Sequence, residues 1–301
     1  MGKFNVEDAA FAGVGLLARR PGSAIVWAVL WAVLLALVTI PFAGILTQFV
    51  TLAVQSGGRP DPAALLAIIP GLGAFWLLAT LCSLVVGAVI SCAVYRAILD
   101  PDDSAFAYLR LGDQEIQVLL VNFVRALVIF GVNLGLSIVV AIVALMATTA
   151  GPAAGAMVNL LGRLIIIAVM IWVQLRLILA GPMTFTEHRF RLFESWSLTG
   201  GSVWRLFLVG LIVVLIAFVV YLALGTLGVF VGMSLPHPAD LQSVLRQSPS
   251  LWMGQMASFI ALIGVLVLIG AAILTPIGLA PWAHAYRAMT GAPDDTAATF
   301  S

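Results

Sequence analysis

Long apolar stretches separated by short polar connections dominate this chain of 301 residues. A helix needs about 20 apolar residues to cross a hydrocarbon core of about 30 Å. Six stretches are long enough, and they cover residues 24–46, 74–99, 116–148, 156–179, 203–233 and 251–286. The pattern predicts an all-α, polytopic integral membrane protein with six transmembrane helices.

The composition agrees with this pattern. Apolar residues make up 62% of the chain and charged residues only 9%, whereas soluble domains carry about 25% charged residues. The polar connections are too short to fold separately, because an independent soluble domain needs on the order of 50 residues. We therefore expect a single transmembrane domain over residues 1–301. The net charge of +1 indicates no nucleic-acid partner.

Basic residues are unequally distributed between the connections on the two sides of the predicted membrane. One set of connections holds ten of them, which are Lys3, Arg19, Arg20, Arg96, Arg110, Arg176, Arg189, Arg191, Arg205 and Arg287. The other set holds only Arg59 and Arg246. Because basic connections favour the cytoplasm, both termini are predicted to be cytoplasmic. Arginine outnumbers lysine 13 to 1, which resembles the usage of GC-rich bacteria, so we expect the bacterial inner membrane.

A phrase of Tyr-Arg-Ala followed shortly by Pro-Asp-Asp occurs twice in the sequence. It begins at Tyr95, at the end of the second span, and at Tyr286, at the end of the sixth. Tyrosine and arginine are typical of the membrane–water interface, where the ring lies at headgroup level and the guanidinium reaches water or phosphate. We interpret both copies as interface anchors, with a specific lipid-headgroup site as the alternative.

Segments that begin with phenylalanine precede the odd-numbered spans, at Phe11, Phe106 and Phe190. Each is typical of a short cytoplasmic helix that ends near Gly or Pro and lies along the interface. The sequence therefore predicts three helical hairpins, each preceded by a short interfacial helix. These pseudo-repeats cover about residues 4–99, 104–180 and 186–288.

The predicted short helices have local capping signals. Asp103 or Ser104 is predicted to cap the second, and Thr184 and Glu187 have the spacing of a capping box at the start of the third. The third is predicted over residues 185–198. Its large apolar side chains share one face of a helical wheel, and they are Phe185, Leu192, Phe193 and Trp196. We expect this face to be buried against the ends of the spans or the acyl-chain boundary.

The stretch "FRLFESWSLTGGSVWRLFLVG" combines a short helix, a glycine turn and the start of the fifth span. Its characteristic positions are Ser195-Trp196, Leu198-Thr199, Gly200 and Trp204-Arg205. It resembles part of the membrane domain that accompanies some bacterial glycerophosphodiester phosphodiesterases, and related uncharacterised six-span bacterial membrane proteins. The resemblance implies fold and location only. The phosphodiesterase activity of that family belongs to a separate soluble barrel domain without a counterpart in this sequence, so no catalytic residue is transferred.

The sequence has no recognisable catalytic, cofactor or metal motif. It lacks an HExxH, a P-loop and a nucleophile elbow. None of its thirteen acidic residues falls within a predicted span, although ion-coupled transporters usually place a carboxylate at mid-membrane. An acidic cluster precedes and opens the third span, and its members are Asp100, Asp102, Asp103, Asp113 and Glu115. Helix capping and solvation explain that cluster better than a divalent cation does, so we expect no enzymatic activity, cofactor or metal.

Five side chains are candidate contacts for lipid or another ligand, and they are Arg96, Arg163, Arg176, Arg287 and Trp196. Arg163 is the most costly of them, because it lies seven residues inside the fourth predicted span. An arginine at mid-membrane costs about 2.5–3.5 kcal/mol on insertion scales. Its guanidinium either extends to the outer interface or belongs to a site for an anionic headgroup or substrate.

These features leave two functional hypotheses. The first is an integral inner-membrane protein without enzymatic activity that organises or binds lipid or a partner protein at the cytoplasmic interface. The alternative is a transporter of a lipid or another amphiphile through a cleft between the hairpin repeats. Membrane lipids are the expected partners in both cases, and a protein partner or a homo-oligomer stays open.

Overall fold

The computed structural model describes residues 5–45, 48, 52, 62–101, 105–234 and 257–291. Within these ranges every regular element is helical, which confirms the predicted all-α class. The helices are α1 (Val6–Arg19), α2 (Pro21–Thr39), α3 (Pro62–Leu99), α4 (Asp113–Ala147), α5 (Pro152–Leu177), α6 (Ala180–Glu187), α7 (Glu194–Leu198), α8 (Val203–Ser234) and α9 (Ala257–Thr290).

Within the described ranges, six helical stretches are long and apolar enough to cross a membrane, and each contains most of one predicted span. They are Pro21–Thr39, Leu66–Leu99, Phe106–Ala150, Pro152–Glu187, Val203–Met233 and Ala261–Thr290. The protein is therefore a multi-pass membrane protein. Helix α2 ends at Thr39, earlier than predicted, because Pro41 has no backbone N–H with which to continue it. Residues 251–256 of the predicted sixth span lie outside the described residues.

The helices belong to two compact units. Unit one comprises Met1–Ala12, Ser91–Ile212 and Leu279–Ser301, and unit two comprises Gly13–Ile90 and Val213–Gly278. In unit two, α1 and α9 approach each other so closely that a Cβ atom on Gly13 would lie 2.5 Å from the Ile277 Cα atom. Small residues allow such backbone contacts between membrane helices.

Helices α4 and α5 pack side by side in unit one, joined by the short connection Thr148–Ala150 and Gly151. Gly162 of α5 faces Val140 of α4, and an added Cβ atom would collide with the valine side chain. The glycine thus lets the two backbones come close. The threefold hairpin repeat over residues 4–99, 104–180 and 186–288 stays a prediction.

Only the first of the three predicted short helices is a single helix, α1, which ends at Arg19 just before Pro21; its place at the interface stays a prediction. The prediction for the second is wrong, because Phe106, Ala107 and Tyr108 have φ angles of 46°, 57° and 64°, which belong to the left-handed region. L-residues adopt that region only when other contacts hold them there. The predicted caps Asp103 and Ser104 lie outside the described residues.

The third short helix is divided into α6 and α7. His188, with a φ angle of 53°, ends α6, and α7 begins at Glu194. The predicted capping box is wrong, because Thr184 is buried inside α6 and its hydroxyl accepts the Arg191 backbone N–H at 3.2 Å. Leu192 of the predicted apolar face is buried, whereas Phe193 is 66% exposed. The break at His188 explains why a single helical wheel misplaced Phe193.

Candidate functional site

Four of the five candidate residues, Arg96, Arg176, Trp196 and Arg287, lie in unit one at what we call the basic end: the C-terminal ends of α3, α5 and α9 and the N-terminal ends of α4 and α8. Arg96 is only 4% exposed there. Its Nη2 atom lies 2.8 Å from Glu115 Oε1 and also donates to Gln114 Oε1 at 3.0 Å. Glu115 is itself buried. The prediction that Arg96 contacts lipid does not fit this burial. We therefore assign Arg96 a structural role inside the protein.

Arg96 also explains the left-handed turn before α4. Its Nη1 atom donates to the Tyr108 carbonyl oxygen at 2.6 Å, and the buried Tyr108 hydroxyl donates to the Pro101 carbonyl at 3.2 Å. These bonds fix both ends of Tyr108. Charge-assisted hydrogen bonds are among the stronger ones in proteins, so the arginine can offset the cost of the turn.

The predicted acidic cluster does not come together as a metal site among the described residues. Glu115 forms an ion pair with Arg96. Asp113 is the first residue of α4, where the positive end of the helix dipole stabilises a carboxylate. Asp102 and Asp103 lie outside the described residues. Within the described ranges, no group of three or more His, Cys, Asp and Glu side chains is arranged to hold a metal ion.

Both tyrosines of the repeated Tyr-Arg phrase pack against α6. The Tyr95 ring meets Phe185 edge to face, with 6.0 Å between ring centroids, and the Tyr286 hydroxyl lies near the side chains of Thr186 and Glu187. Both tyrosines are buried, so their interpretation as interface anchors is wrong. The tyrosines of the two Tyr-Arg phrases thus pack against α6, a short helix that the apolar pattern did not distinguish from the fourth predicted span.

Arg287, the arginine of the second copy, is half-buried and donates through Nη1 to the Ile98 carbonyl at 3.3 Å. That carbonyl belongs to the last turn of α3, where backbone acceptors have no partner within the helix. A cation is favourable at this negative end of the helix dipole. Arg287 therefore joins the C-terminal end of α9 to that of α3.

Arg176, near the C-terminal end of α5, lies beside two tryptophan rings that contact each other. Its guanidinium carbon is 5.6 Å from the centroid of the Trp172 ring and 5.5 Å from that of Trp196. The two rings meet edge to face at 4.9 Å. Cations within about 6 Å of an indole face are attracted by its quadrupole. The predicted contacts Arg176 and Trp196 thus belong to one site.

Hydrogen bonds in both directions connect Arg176 to α7 and the turn that follows it. Its Nη1 atom donates to the Trp196 carbonyl at 3.1 Å. In return, the Ser195 hydroxyl donates to the Arg176 carbonyl at 2.8 Å, and the Thr199 hydroxyl reaches the same carbonyl at 3.5 Å. Ser195, Trp196 and Thr199 are three positions of the Ser-Trp…Leu-Thr-Gly motif. The motif therefore fixes the arginine and satisfies a free carbonyl of α5.

A groove of about 600 Å³ opens beside this arginine, between α5 and α8. Its lining residues are Ala168, Ile171, Trp172, Leu175, Arg176, Gly200, Val203, Trp204 and Phe207. Arg176 is the single charged residue among them. Its Nε atom is shielded from solvent and has no hydrogen-bond partner among the described residues. A Cβ atom on Gly200 would lie 3.5 Å from Arg176 Nη1, so this glycine borders the guanidinium directly.

No family model, curated protein or solved structure matches the chain. The likeness to the membrane domain of glycerophosphodiester phosphodiesterases stays a prediction from the motif around Ser195 and Trp196.

Arg163 does not belong to the groove. It is exposed on α5, and its Nε atom donates to Asn159 Oδ1 at 2.7 Å. Thirteen residues separate it from Arg176, which places the two side chains roughly 140° apart around the helix axis. The two arginines therefore face different surroundings.

The groove contains residues that the sequence analysis did not name as candidate contacts, notably Trp172, Trp204 and Phe207. A signal for Trp172 was present, because it precedes Arg176 by four residues and side chains at this spacing meet on a helix. Arg96 and Glu115 have no comparable signal. They are nineteen residues apart, and an irregular turn lies between them.

Proposed function

We propose that this protein binds an anionic membrane lipid in the groove at its basic end. The observation that carries the proposal is the Arg176 guanidinium, which lies beside the rings of Trp172 and Trp196 at the edge of an otherwise apolar groove. Arginine matches the geometry of a phosphate group. The lipid phosphate would contact Arg176.

An anionic lipid fits the remaining lining of the groove better than a soluble anion does. Ile171, Leu175 and Val203 offer an apolar surface to an acyl chain, and the described lining residues include no second charged side chain. Trp204 is largely exposed beside it, and tryptophan is enriched at headgroup level. The volume of about 600 Å³ falls within the range of about 300–1,000 Å³ that ligand pockets have.

The proposed setting is the bacterial inner membrane, with both termini in the cytoplasm and no enzymatic activity. Ten basic residues in one set of connections against two in the other support this orientation. The basic end would then face the cytoplasmic leaflet, whose anionic lipids attract basic surfaces. The lack of a catalytic motif in the sequence supports a binding role.

Topology reporters test this orientation. Fusions after Gly57 and after Leu241 should give the signal of an external reporter, because few basic residues surround those connections. Fusions after Asp103 and after Ser301 should give the signal of a cytoplasmic one. A cytoplasmic signal at Gly57 would overturn the proposed orientation.

Filling the groove should displace the lipid without removing its charge partner. Gly200 has no left-handed backbone, so a larger side chain is compatible with its conformation. We expect Gly200→Leu to weaken phosphatidylglycerol binding about tenfold, equivalent to about 1.4 kcal/mol. The affinity can be measured by titrating delipidated protein in native mass spectrometry.

Gly135→Leu is the matched control for this experiment. Gly135 is an exposed glycine of α4, and an added Cβ atom there meets nothing within 4 Å. Its replacement should leave lipid affinity unchanged. Equal affinities of the Gly200 and Gly135 variants would show that lipid does not occupy the groove.

A further inference from the structure

Arg163 lies near the middle of a membrane-spanning helix. Helix α5 has 26 residues, which makes it roughly 39 Å long, and Arg163 is about 16 Å from its start and about 21 Å from its end. A hydrocarbon core is about 30 Å thick, so this position is close to the bilayer centre.

The surroundings of Arg163 are apolar and exposed. Leu160 and Ile167, one turn away on either side, are 61% and 54% exposed. Asn159 accepts from the Nε atom, whereas neither Nη group has a hydrogen-bond or ion-pair partner among the described residues. Charged residues at this depth are costly, and they generally pair with another group or mark a functional site.

We infer that Arg163 is the contact point for a transmembrane helix of a partner protein that carries Asp or Glu near its centre. With Nε bonded to Asn159, the two Nη groups present parallel N–H donors that match a carboxylate. Leu160 and Ile167 provide the apolar surface on which such a helix packs. Charge complementarity therefore defines the partner.

Neither a second copy of the chain nor a lipid headgroup satisfies this requirement. None of the thirteen acidic residues of the sequence falls within the six apolar stretches, so another copy offers no carboxylate at the depth of Arg163. Phosphate groups lie at the membrane surface, far from the helix centre. The site is also independent of the lipid groove, because it faces a different direction from Arg176.

A synthetic transmembrane helix can serve as the probe. Full-length protein in nanodiscs is labelled for energy transfer to a leucine-rich peptide with one central Asp, and an all-leucine peptide is the control. We expect the Asp peptide to bind at least tenfold more tightly than the control. Arg163→Leu should abolish this preference and Arg163→Lys should retain part of it. Arg176→Gln, which removes the charge of the lipid groove on a different side of α5, should leave it intact.

Three results would overturn the inference. The first is equal affinity for the two peptides, and the second is a preference that persists in Arg163→Leu. The third is evidence for a different occupant. In that case the Asp peptide shows no preference, and Arg163→Leu abolishes either the self-association of labelled copies or the retention of anionic lipid.

Discussion

Replacing Glu115 by alanine should lower the free energy of unfolding by roughly 3–5 kcal/mol. The change leaves the Arg96 guanidinium, only 4% exposed, without its counter-charge. The Tyr108 carbonyl and the Gln114 amide oxygen still accept from it, but neither carries a charge. An uncompensated charge inside a protein is among the few single changes with so large a cost. Reversible unfolding in mixed micelles measures it.

Glu194→Ala is the control for the loss of an ion pair. Glu194 pairs with Arg191 at 3.1 Å on the exposed side of α7, and surface pairs contribute about 0–1 kcal/mol. Glu115→Gln should lie between the two variants, because the amide keeps a hydrogen bond and loses the charge. If Glu115→Ala costs no more than Glu194→Ala, the buried pair does not hold the basic end together.

The six spans could be predicted because the length of an apolar stretch is a property of the sequence alone. Whether each arginine is buried or borders the groove could not be predicted in this way. Arg96 and Arg176 both end a span, and charge counting treats them alike. A buried carboxylate nineteen residues away makes the first internal, whereas two tryptophans keep the second at the groove. Such differences arise from tertiary contacts.

Two irregular turns limited the prediction of the basic end. The left-handed backbone at Phe106 depends on a bond from Arg96 to the Tyr108 carbonyl, and local propensity favours right-handed helix there. The break at His188 separates α6 from α7, although the amphipathic pattern continues across it. The sequence analysis did not predict that the tyrosines of the two Tyr-Arg phrases both pack against α6.

Arg176→Gln should weaken the binding of phosphatidylglycerol about tenfold to a hundredfold. A hydrogen bond to a charged group contributes about 1.5–3 kcal/mol, and each 1.4 kcal/mol is about a factor of ten in affinity. Glutamine keeps a donor and loses both the charge and the contact with the rings of Trp172 and Trp196. Arg176→Lys keeps the charge and loses the planar fork, so its affinity should be intermediate.

The loss of lipid affinity in Arg176→Gln has to be compared with the effect of replacing another arginine at the basic end. Arg191 is suitable, because its guanidinium is paired with Glu187 at 2.9 Å and with Glu194 at 3.1 Å. Arg191→Gln changes the net charge by the same amount as Arg176→Gln. It therefore accounts for the general attraction between a basic surface and anionic lipid, which falls with salt.

The dissociation constant of phosphatidylglycerol for the wild type, Arg176→Gln and Arg191→Gln, measured by native mass spectrometry in one detergent, tests the groove most directly. We predict that Arg176→Gln binds at least tenfold more weakly than the wild type, while Arg191→Gln binds equally well. Equal affinities of the two variants, whether both unchanged or both reduced, would contradict a lipid site at Arg176.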